Sequence, residues 1–330
     1  MPVLQSAARA ARLDLLARVA NRKRLLIITY HGIREDASPA RSWLLLPVSE
    51  FTRQMEFLRA HYDVLSIDEA LTTPGNRRPR ACVTFDDGYR NNLELALPVL
   101  EQLRLPATIY LPTAFIGSRH VLWTTRLDLG LPKATPKVRV QIADWLSLPH
   151  DPSTPSFVHG VSDALKALRP RERDYLLTKI FAQLPALSAD EIQPHAFVTW
   201  SEVSRMEATG LISFGAHTAH HEIVRNLDDE SLRDEIRSSV NEIASRCARP
   251  SSTFAYPNGR DVDFDERSGE ILSSLGCTAA VSTIEGLNDE STPPYALRRI
   301  SVGSAMRFTE FRSRISGLDS QARRLLGQAT

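Results

Sequence analysis

Two adjacent carboxylates follow a short apolar run in the first third of the chain. Residues 81–85 lead directly into Asp86, Asp87 and Gly88. Asp-Gly pairs are common in turns, so one interpretation is a purely structural turn. Two ionised carboxylates side by side repel each other, however, and a cation beside them relieves that repulsion. The pair is therefore a candidate either for a turn or for a catalytic or metal-binding site.

A group of histidines forms a second candidate. His217 and His221 are four residues apart and follow the apolar run 211–215. If a turn or helix begins there, both imidazoles can face one point. Two imidazoles and one carboxylate form a three-ligand set that leaves positions open for water or substrate, as in catalytic zinc sites. His220 lies between the two and could compete with either for the ligand role.

Two more polar positions follow apolar runs. His31 comes directly after residues 25–30, and a Pro-Asn-Gly sequence at 257–259 follows residues 253–256. The backbone N–H groups of such a turn can stabilise an oxyanion. Alone, His31 is weak evidence for a functional role, and a structural role is favoured.

The elements that must position these residues alternate along the chain. The predicted strands are residues 25–30, 81–85, 107–111, 211–215, 253–256, 278–281 and 297–302. The predicted helices between them are residues 48–61, 91–103, 200–209, 231–246 and 266–275. This alternation predicts βα units and a largely parallel sheet of the α/β class. About seven strands with polar carboxyl ends favour a closed or nearly closed barrel, whose chemistry lies at that edge. An open doubly wound sheet is the alternative, but no GxGxxG turn follows any strand.

Three regions stand apart from this alternation. We predict a helical insertion at about residues 118–197, between two barrel strands and beside the substrate cleft. For residues 1–24 we predict a basic amphipathic helix, which either packs on the domain or contacts a membrane surface. Residues 311–330 predict a C-terminal helix or tail, which leaves 25–310 as the main domain.

The composition excludes several classes of protein. The 330 residues carry 40 basic and 39 acidic side chains, so no basic excess favours nucleic-acid binding. Three scattered cysteines predict neither a disulfide framework nor a thiolate zinc site, and Cys82 is expected to pack as a small hydrophobe. No apolar stretch is long enough to span a bilayer. Because the N-terminus also lacks the apolar region of a signal peptide, we expect a cytoplasmic protein.

Four segments together carry a family resemblance. They are YHGI at 30–33, TFDDG at 84–88, HTAHH at 217–221 and FAYPNG at 254–259. With these, the chain resembles the polysaccharide deacetylases, also called the NodB-homology or carbohydrate esterase family 4 domain, over about residues 25–302. The resemblance implies a distorted (β/α)7-type barrel. The TFDDG and HTAHH segments are specific as a pair, and the other two are supportive.

The resemblance also implies roles for individual residues. Asp86 would be the general base, and the metal ligands would be Asp87, His217 and His221. The family's acid is usually a histidine near the C-terminus, but no histidine follows His221 here. A circularly permuted branch, which resembles poly-N-acetylglucosamine deacetylases, places that histidine before the TFDDG segment. His31 fits this arrangement.

Two further assignments follow from the family pattern. The backbone N–H of Asn258 would stabilise the oxyanion. Many members have an arginine at the position of Ala255, where it steadies the catalytic aspartate. Arg298 or Arg299 could supply that charge from a neighbouring strand, or either could form only a surface ion pair.

The implied activity is removal of N-acetyl groups from an amino-sugar-containing saccharide, with release of acetate. The alternatives are O-acetyl glycan esterase or non-sugar amidohydrolase activity at the same site, a catalytically silent carbohydrate-binding protein, and a structural metal site. Zn²⁺ is the expected ion, although Co²⁺, Ni²⁺ or Mn²⁺ could serve. The expected substrate is a precursor of exopolysaccharide or lipopolysaccharide, which could be lipid-linked and held at the inner face of the membrane through residues 1–24.

Overall fold

Strands and helices alternate along most of the chain. The computed structural model describes residues 13–40, 42–73, 78–148, 154 and 156–318. The strands are β1 Leu25–Tyr30, β2 Gly32–Arg34, β3 Leu45–Pro47, β4 Asp63–Val64, β5 Arg80–Phe85, β6 Ala107–Leu111, β7 Ile212–Ala216, β8 Pro250–Ala255, β9 Ala279–Val281 and β10 Ile300–Ser301. The helices are α1 at residues 13–20, α2 Val48–His61, α3 Ile67–Thr72, α4 Leu97–Leu103, α5 Trp123–Gly130, α6 Pro136–Trp145, α7 Phe157–Lys166, α8 Pro170–Phe181, α9 Ala189–Ile192, α10 Trp200–Glu207, α11 Asp229–Arg246, α12 Glu266–Ser274 and α13 Phe308–Ile315.

One parallel sheet organises the fold. Its strands run in the order β10-β1-β5-β6-β7-β8-β9, and β4 pairs with the beginning of β5. Leu297, which precedes β10, pairs with Val281 of β9. The two ends of the sheet therefore come together, and the sheet curls into a distorted barrel. The (β/α)7-type fold predicted from the sequence is confirmed.

The strand side chains divide between two cores because successive residues of a strand point to opposite faces. In β1, Ile28 and Tyr30 join a large cluster with the outer helices, whereas Leu25 and Ile27 join a smaller inner cluster. Cys82 belongs to the inner cluster, fully buried and without a disulfide, as expected for a small hydrophobe. Burial of both faces explains why the strands are nearly continuous apolar runs.

The helices α5 to α8 form a lobe between β6 and β7, which we call the insertion lobe. Its apolar side chains make a cluster of their own, comprising Leu127, Leu131, Ile142, Ala143, Phe157, Val161, Leu165, Leu177 and Ile180. The lobe falls within the predicted insertion at 118–197. The predicted division of the chain at residues 24 and 310 stays a prediction.

The helix α1 packs on the barrel through an unexpected face. Ala17 and Arg18 are buried, and Asp14 forms an ion pair with Arg312 of α13 at 2.9 Å. Leucines at 13, 15 and 16 remain 45–65% exposed. Residues 1–12 and 319–330, which include parts of the predicted N-terminal helix and tail, lie outside the described residues. None of the helices described is both long and apolar enough to cross a bilayer.

Candidate metal centre and substrate cleft

The carboxyl edge of the sheet brings the candidate residues together. Parallel strands all end at the same edge, so residues that follow different strands become neighbours. The residues that line one cleft at this edge include His31 after β1, Asp86 and Asp87 after β5, His217 and His221 after β7, and Asn258 after β8.

Asp87, His217 and His221 converge on one point. One potential ligand atom from each lies within 4.8 Å of the other two. The Oδ1 atom of Asp87 is 3.7 Å from Nε2 of His217 and 3.2 Å from Nε2 of His221. This oxygen is buried, yet it has no hydrogen-bond partner among the described residues. A buried, unpartnered carboxylate oxygen that faces two imidazole nitrogens fits a divalent cation.

The hydrogen bonding of His217 also fits a ligand. Its Nδ1 lies 2.7 Å from the carbonyl oxygen of Ala255, to which the N–H donates. That bond fixes the tautomer and leaves the Nε2 lone pair free towards Asp87, as is usual for metal-bound histidines. Burial lowers the pKa of His217 to about 4, although the charge of Asp86 acts in the opposite direction. The ring is therefore neutral at pH 7, the state that binds a metal.

The loop after β7 separates His220 from the other two histidines. Thr218 and His221 both adopt positive φ, at 58°. His220 is turned outward, where its Nδ1 lies 2.6 Å from a carboxylate oxygen of Glu235. The structure therefore leaves His221, and not His220, beside Asp87.

Asp86 occupies a different environment from its neighbour. Its two oxygens accept hydrogen bonds from Nη1 and Nη2 of Arg299, each at 2.7 Å, and both residues are almost fully buried. The guanidinium also donates to the carbonyl of Ser282 and to Oγ1 of Thr29. Burial, the largest single influence, would raise the pKa of Asp86, but the charge and hydrogen bonds of Arg299 together with the nearby His217 and His31 lower it overall.

The two arginines considered from the sequence lie in different places. Only Arg299 contacts Asp86; the side chain of Arg298 packs beside Gly286. Leu297 belongs to the inner cluster, and Arg299 lies two residues on, so both point into the barrel.

His31 and Asn258 lie on the cleft wall. His31 is half-buried, its ring centroid is 5.3 Å from that of Trp43, and its Nδ1 has no hydrogen-bond partner in the described ranges. Asn258 adopts φ 60°, and its side chain donates to Asp263. Its backbone N–H bonds to no acceptor among the residues described here. Both residues line the cleft, although the Nδ1 atom of His31 itself is buried.

Part of the cleft wall comes from the insertion lobe, and the sequence did not predict which residues of the lobe would form it. The cleft has a volume of about 380 Å³, and the insertion lobe contributes Trp123, Asp128, His159 and Lys166 to its lining. Burial raises the pKa of Asp128 and lowers that of Lys166. No local motif marks these residues, since they reach the site only because the lobe folds against the barrel.

Comparisons with known proteins agree with this architecture. Residues 74–280, more than half of the chain, match the family model described as polysaccharide deacetylase. A curated Bacillus subtilis protein, YxkH, whose name places it among polysaccharide deacetylases, is 36% identical over 104 residues. That match spans 30% of this chain and 36% of YxkH.

Two solved structures share the fold at low sequence identity. The Streptococcus pyogenes deacetylase PplD, solved in complex with acetate, is 18% identical, with a TM-score of 0.58 over 88% of this chain and 98% of that one. IcaB from Ammonifex degensii is 14% identical, with a TM-score of 0.56 over 89% and 97% of the two chains. At these identities the likeness concerns the fold. Given the family match over residues 74–280, this chain belongs to the polysaccharide deacetylase family.

Proposed function

We propose that this chain is a metal-dependent hydrolase that removes N-acetyl groups from an amino-sugar-containing saccharide and releases acetate. The observation that carries the proposal is the unlike environment of two adjacent carboxylates. Asp86 is paired with Arg299, whereas Asp87 faces two imidazoles with a free oxygen. One carboxylate is therefore held as a base and the other is left as a ligand.

Asp87, His217 and His221 would hold the metal. With three protein ligands on the edge of an open cleft, a bound ion would keep positions for water or substrate, which argues against a purely structural site. Once bound, the ion would polarise the acetyl carbonyl and make water more acidic. Zn²⁺ is our proposed ion, and Co²⁺, Ni²⁺ and Mn²⁺ are compatible with the same donors.

Asp86 would accept a proton from the attacking water. Arg299 fixes the carboxylate in place and keeps it ionised, so it can act as a base at neutral pH. A bidentate pair uses one lone pair of each oxygen, which leaves others to accept from water. The water oxygen then bonds to the acetyl carbon.

The remaining steps need a hydrogen-bond donor and an acid. The free N–H of Asn258 would donate to the acetyl oxygen as negative charge develops there. The C–N bond then breaks, and His31 would give a proton to the departing nitrogen. An amine leaves poorly unless it is protonated, so the acid must differ from the base. The products are acetate and a free amino sugar.

The lining of the cleft supports a saccharide substrate. Trp43 and Trp123 contribute aromatic surface to the lining, and Asp128, Lys166 and Arg260 contribute polar groups. Pockets that combine aromatic surface with a few polar groups are typical of small-molecule sites.

We further propose that the substrate is a lipid-linked precursor of exopolysaccharide or lipopolysaccharide, handled at the cytoplasmic face of the membrane. The exposed leucines of α1 and the exposed Arg22 and Lys23 beside them support contact with an anionic membrane. Leu15→Glu/Leu16→Glu should abolish co-sedimentation with vesicles rich in phosphatidylglycerol. Equal binding by this variant and the wild type would refute the membrane contact.

The central experiment is acetate release from metal-loaded protein on matched N-acetylated and O-acetylated oligosaccharides. Acetate from the N-acetylated set supports the proposal, whereas acetate only from the O-acetylated set indicates a glycan esterase. Glycan binding without any acetate would instead identify a silent carbohydrate-binding protein.

A further inference from the structure

An arginine of the insertion lobe is buried against the loop that carries the metal ligands. Arg173 of α8 is 5% exposed. Its Nη1 and Nη2 donate to the two carboxylate oxygens of Glu222 at 2.6 and 2.8 Å. Nε and Nη2 also donate to Asp174, and the guanidinium lies 5.6 Å from the ring of Trp123. The side chain is therefore fixed on several sides at once.

Glu222 directly follows His221 in the loop after β7. The backbone N–H of Glu222 donates to Oγ1 of Thr218 at 3.0 Å. Thr218 and His221 have positive φ, a conformation that residues with a side chain rarely adopt unless surrounding contacts enforce it. The loop is thus turned twice within four residues, and it needs support from outside.

Two separate elements supply that support. From the barrel side, Glu235 of α11 accepts the backbone N–H groups of Ala219 and His220 at 3.0 and 2.9 Å. From the lobe side, Arg173 holds Glu222. Further along the segment, the side chain of Asn226 donates to the carbonyl oxygens of Lys166 and Leu168 at the end of α7. His221 lies between the barrel contacts and the lobe contacts.

We propose that Arg173 is a positioning residue for the metal centre: through Glu222 it holds the imidazole of His221 against Asp87 and His217. This inference rests on the ligand set of the proposed function. It makes the insertion lobe part of the metal site as well as a wall of the cleft. Partners that orient metal ligands typically change metal affinity by 10–100-fold when they are removed.

The test is zinc affinity of the metal-stripped full chain, measured by competition with a chromophoric chelator. Arg173→Ala should weaken zinc binding by about 10–100-fold. Arg173→Lys keeps the charge but cannot form the bidentate pair, so it should fall between Arg173→Ala and the wild type. Glu222→Gln should also weaken binding, and combining it with Arg173→Ala should add little because both act through one contact. Saturating zinc should restore most of the kcat of Arg173→Ala.

Arg312→Ala is the matched control. It also removes an arginine–carboxylate pair, to Asp14, between α13 and α1. This variant should lower the melting temperature and leave zinc affinity unchanged. If it weakens zinc binding as much as Arg173→Ala does, the effect is general destabilisation and the inference fails.

Other outcomes also decide the inference. Wild-type zinc affinity in folded Arg173→Ala and Glu222→Gln would overturn it. If Arg173→Ala does not fold, Arg173→Lys and Glu222→Gln carry the same test, because they nearly preserve side-chain volume. Zinc affinity is measured without a saccharide. A wild-type chain that binds zinc but releases no acetate therefore overturns the proposed function alone, and the zinc affinities of the variants still decide the inference.

Discussion

Asp86 and Asp87 are adjacent in sequence, but they belong to two unlike halves of the site. The closed half, Asp86 with Arg299, lies inside the barrel, and both carboxylate oxygens are hydrogen-bonded. The open half, Asp87 with His217 and His221, lies on loops where Asp87 and His221 have left-handed backbone, and one buried Asp87 oxygen has no hydrogen-bond partner among the described residues. Full pairing favours one fixed arrangement, whereas a missing partner marks the place for a ligand. Chemistry of two kinds can therefore be assigned to neighbouring residues.

The largest expected effect comes from Asp86, the proposed base in the closed half. Asp86→Asn should reduce acetate release by about 10²–10⁴-fold, because a positioned base contributes that much. Bound zinc should stay near the wild-type amount, since Asp86 is outside the proposed ligand set. Turnover and metal content by mass spectrometry measure the two effects on one sample. If Asp86→Asn lost the metal as well as the activity, Asp86 could not be assigned a role separate from that of the proposed ligands.

Loss of Arg299, the arginine of the closed half, should strongly lower the free energy of unfolding. Arg299→Ala leaves the carboxylate of Asp86 buried without its counter-charge, which should lower the free energy of unfolding by about 3–5 kcal/mol. Arg298→Ala is the neighbouring control and should change it by about 0.5 kcal/mol. Denaturant unfolding of the metal-free proteins measures both. Equal losses in the two variants would contradict the assignment of Arg299.

The open half should respond to metal. Zinc at 100 times its dissociation constant should stabilise the wild-type chain by about 2.7 kcal/mol. Asp87→Ala and His217→Ala should lose this increment, because each removes a ligand. His220→Ala should keep it, since that ring faces Glu235. Thermal unfolding with and without zinc makes the comparison, and an unchanged increment in His217→Ala would refute the ligand set.

The smallest expected effect separates the acid from the base. His31→Gln should reduce release from an N-acetylated sugar by about 10²-fold, the lower end of the range for a positioned acid. On 4-nitrophenyl acetate it should have little effect, because that leaving group departs without a proton. Asp86→Asn should impair both substrates. Equal impairment of both by His31→Gln would remove His31 from the acid role.

The sequence predicted features that are encoded in short contiguous segments, and it missed contacts that form only when distant segments pack together. Strands, helices and the fold class follow from apolar runs that lie between polar residues, and the barrel then gathers the ends of those runs. The TFDDG and HTAHH segments identified Asp86, Asp87, His217 and His221 because each segment is short and contiguous.

Other features depended on information that no short segment contains. The choice between Arg298 and Arg299 depended on which side of the strand faces the barrel interior, and buried apolar residues lie on both sides. The leucines of α1 are exposed, whereas Asp14 and Arg18 are buried against helices α13 and α2. The contact between Arg173 and Glu222 joins positions 49 residues apart, and nothing in either local sequence marks it.

The pairing of Asp86 with Arg299 also bears on how the chain is made. The two residues are 213 positions apart, and β10 pairs with β1 from the other end of the chain. At 5–20 residues per second, roughly 10–40 s separate their synthesis on the ribosome. During that interval Asp86 lacks Arg299 as a counter-charge, and the strands from β6 to β10 are still being added. The proposed base therefore gains its counter-charge only after residue 299 has been synthesised.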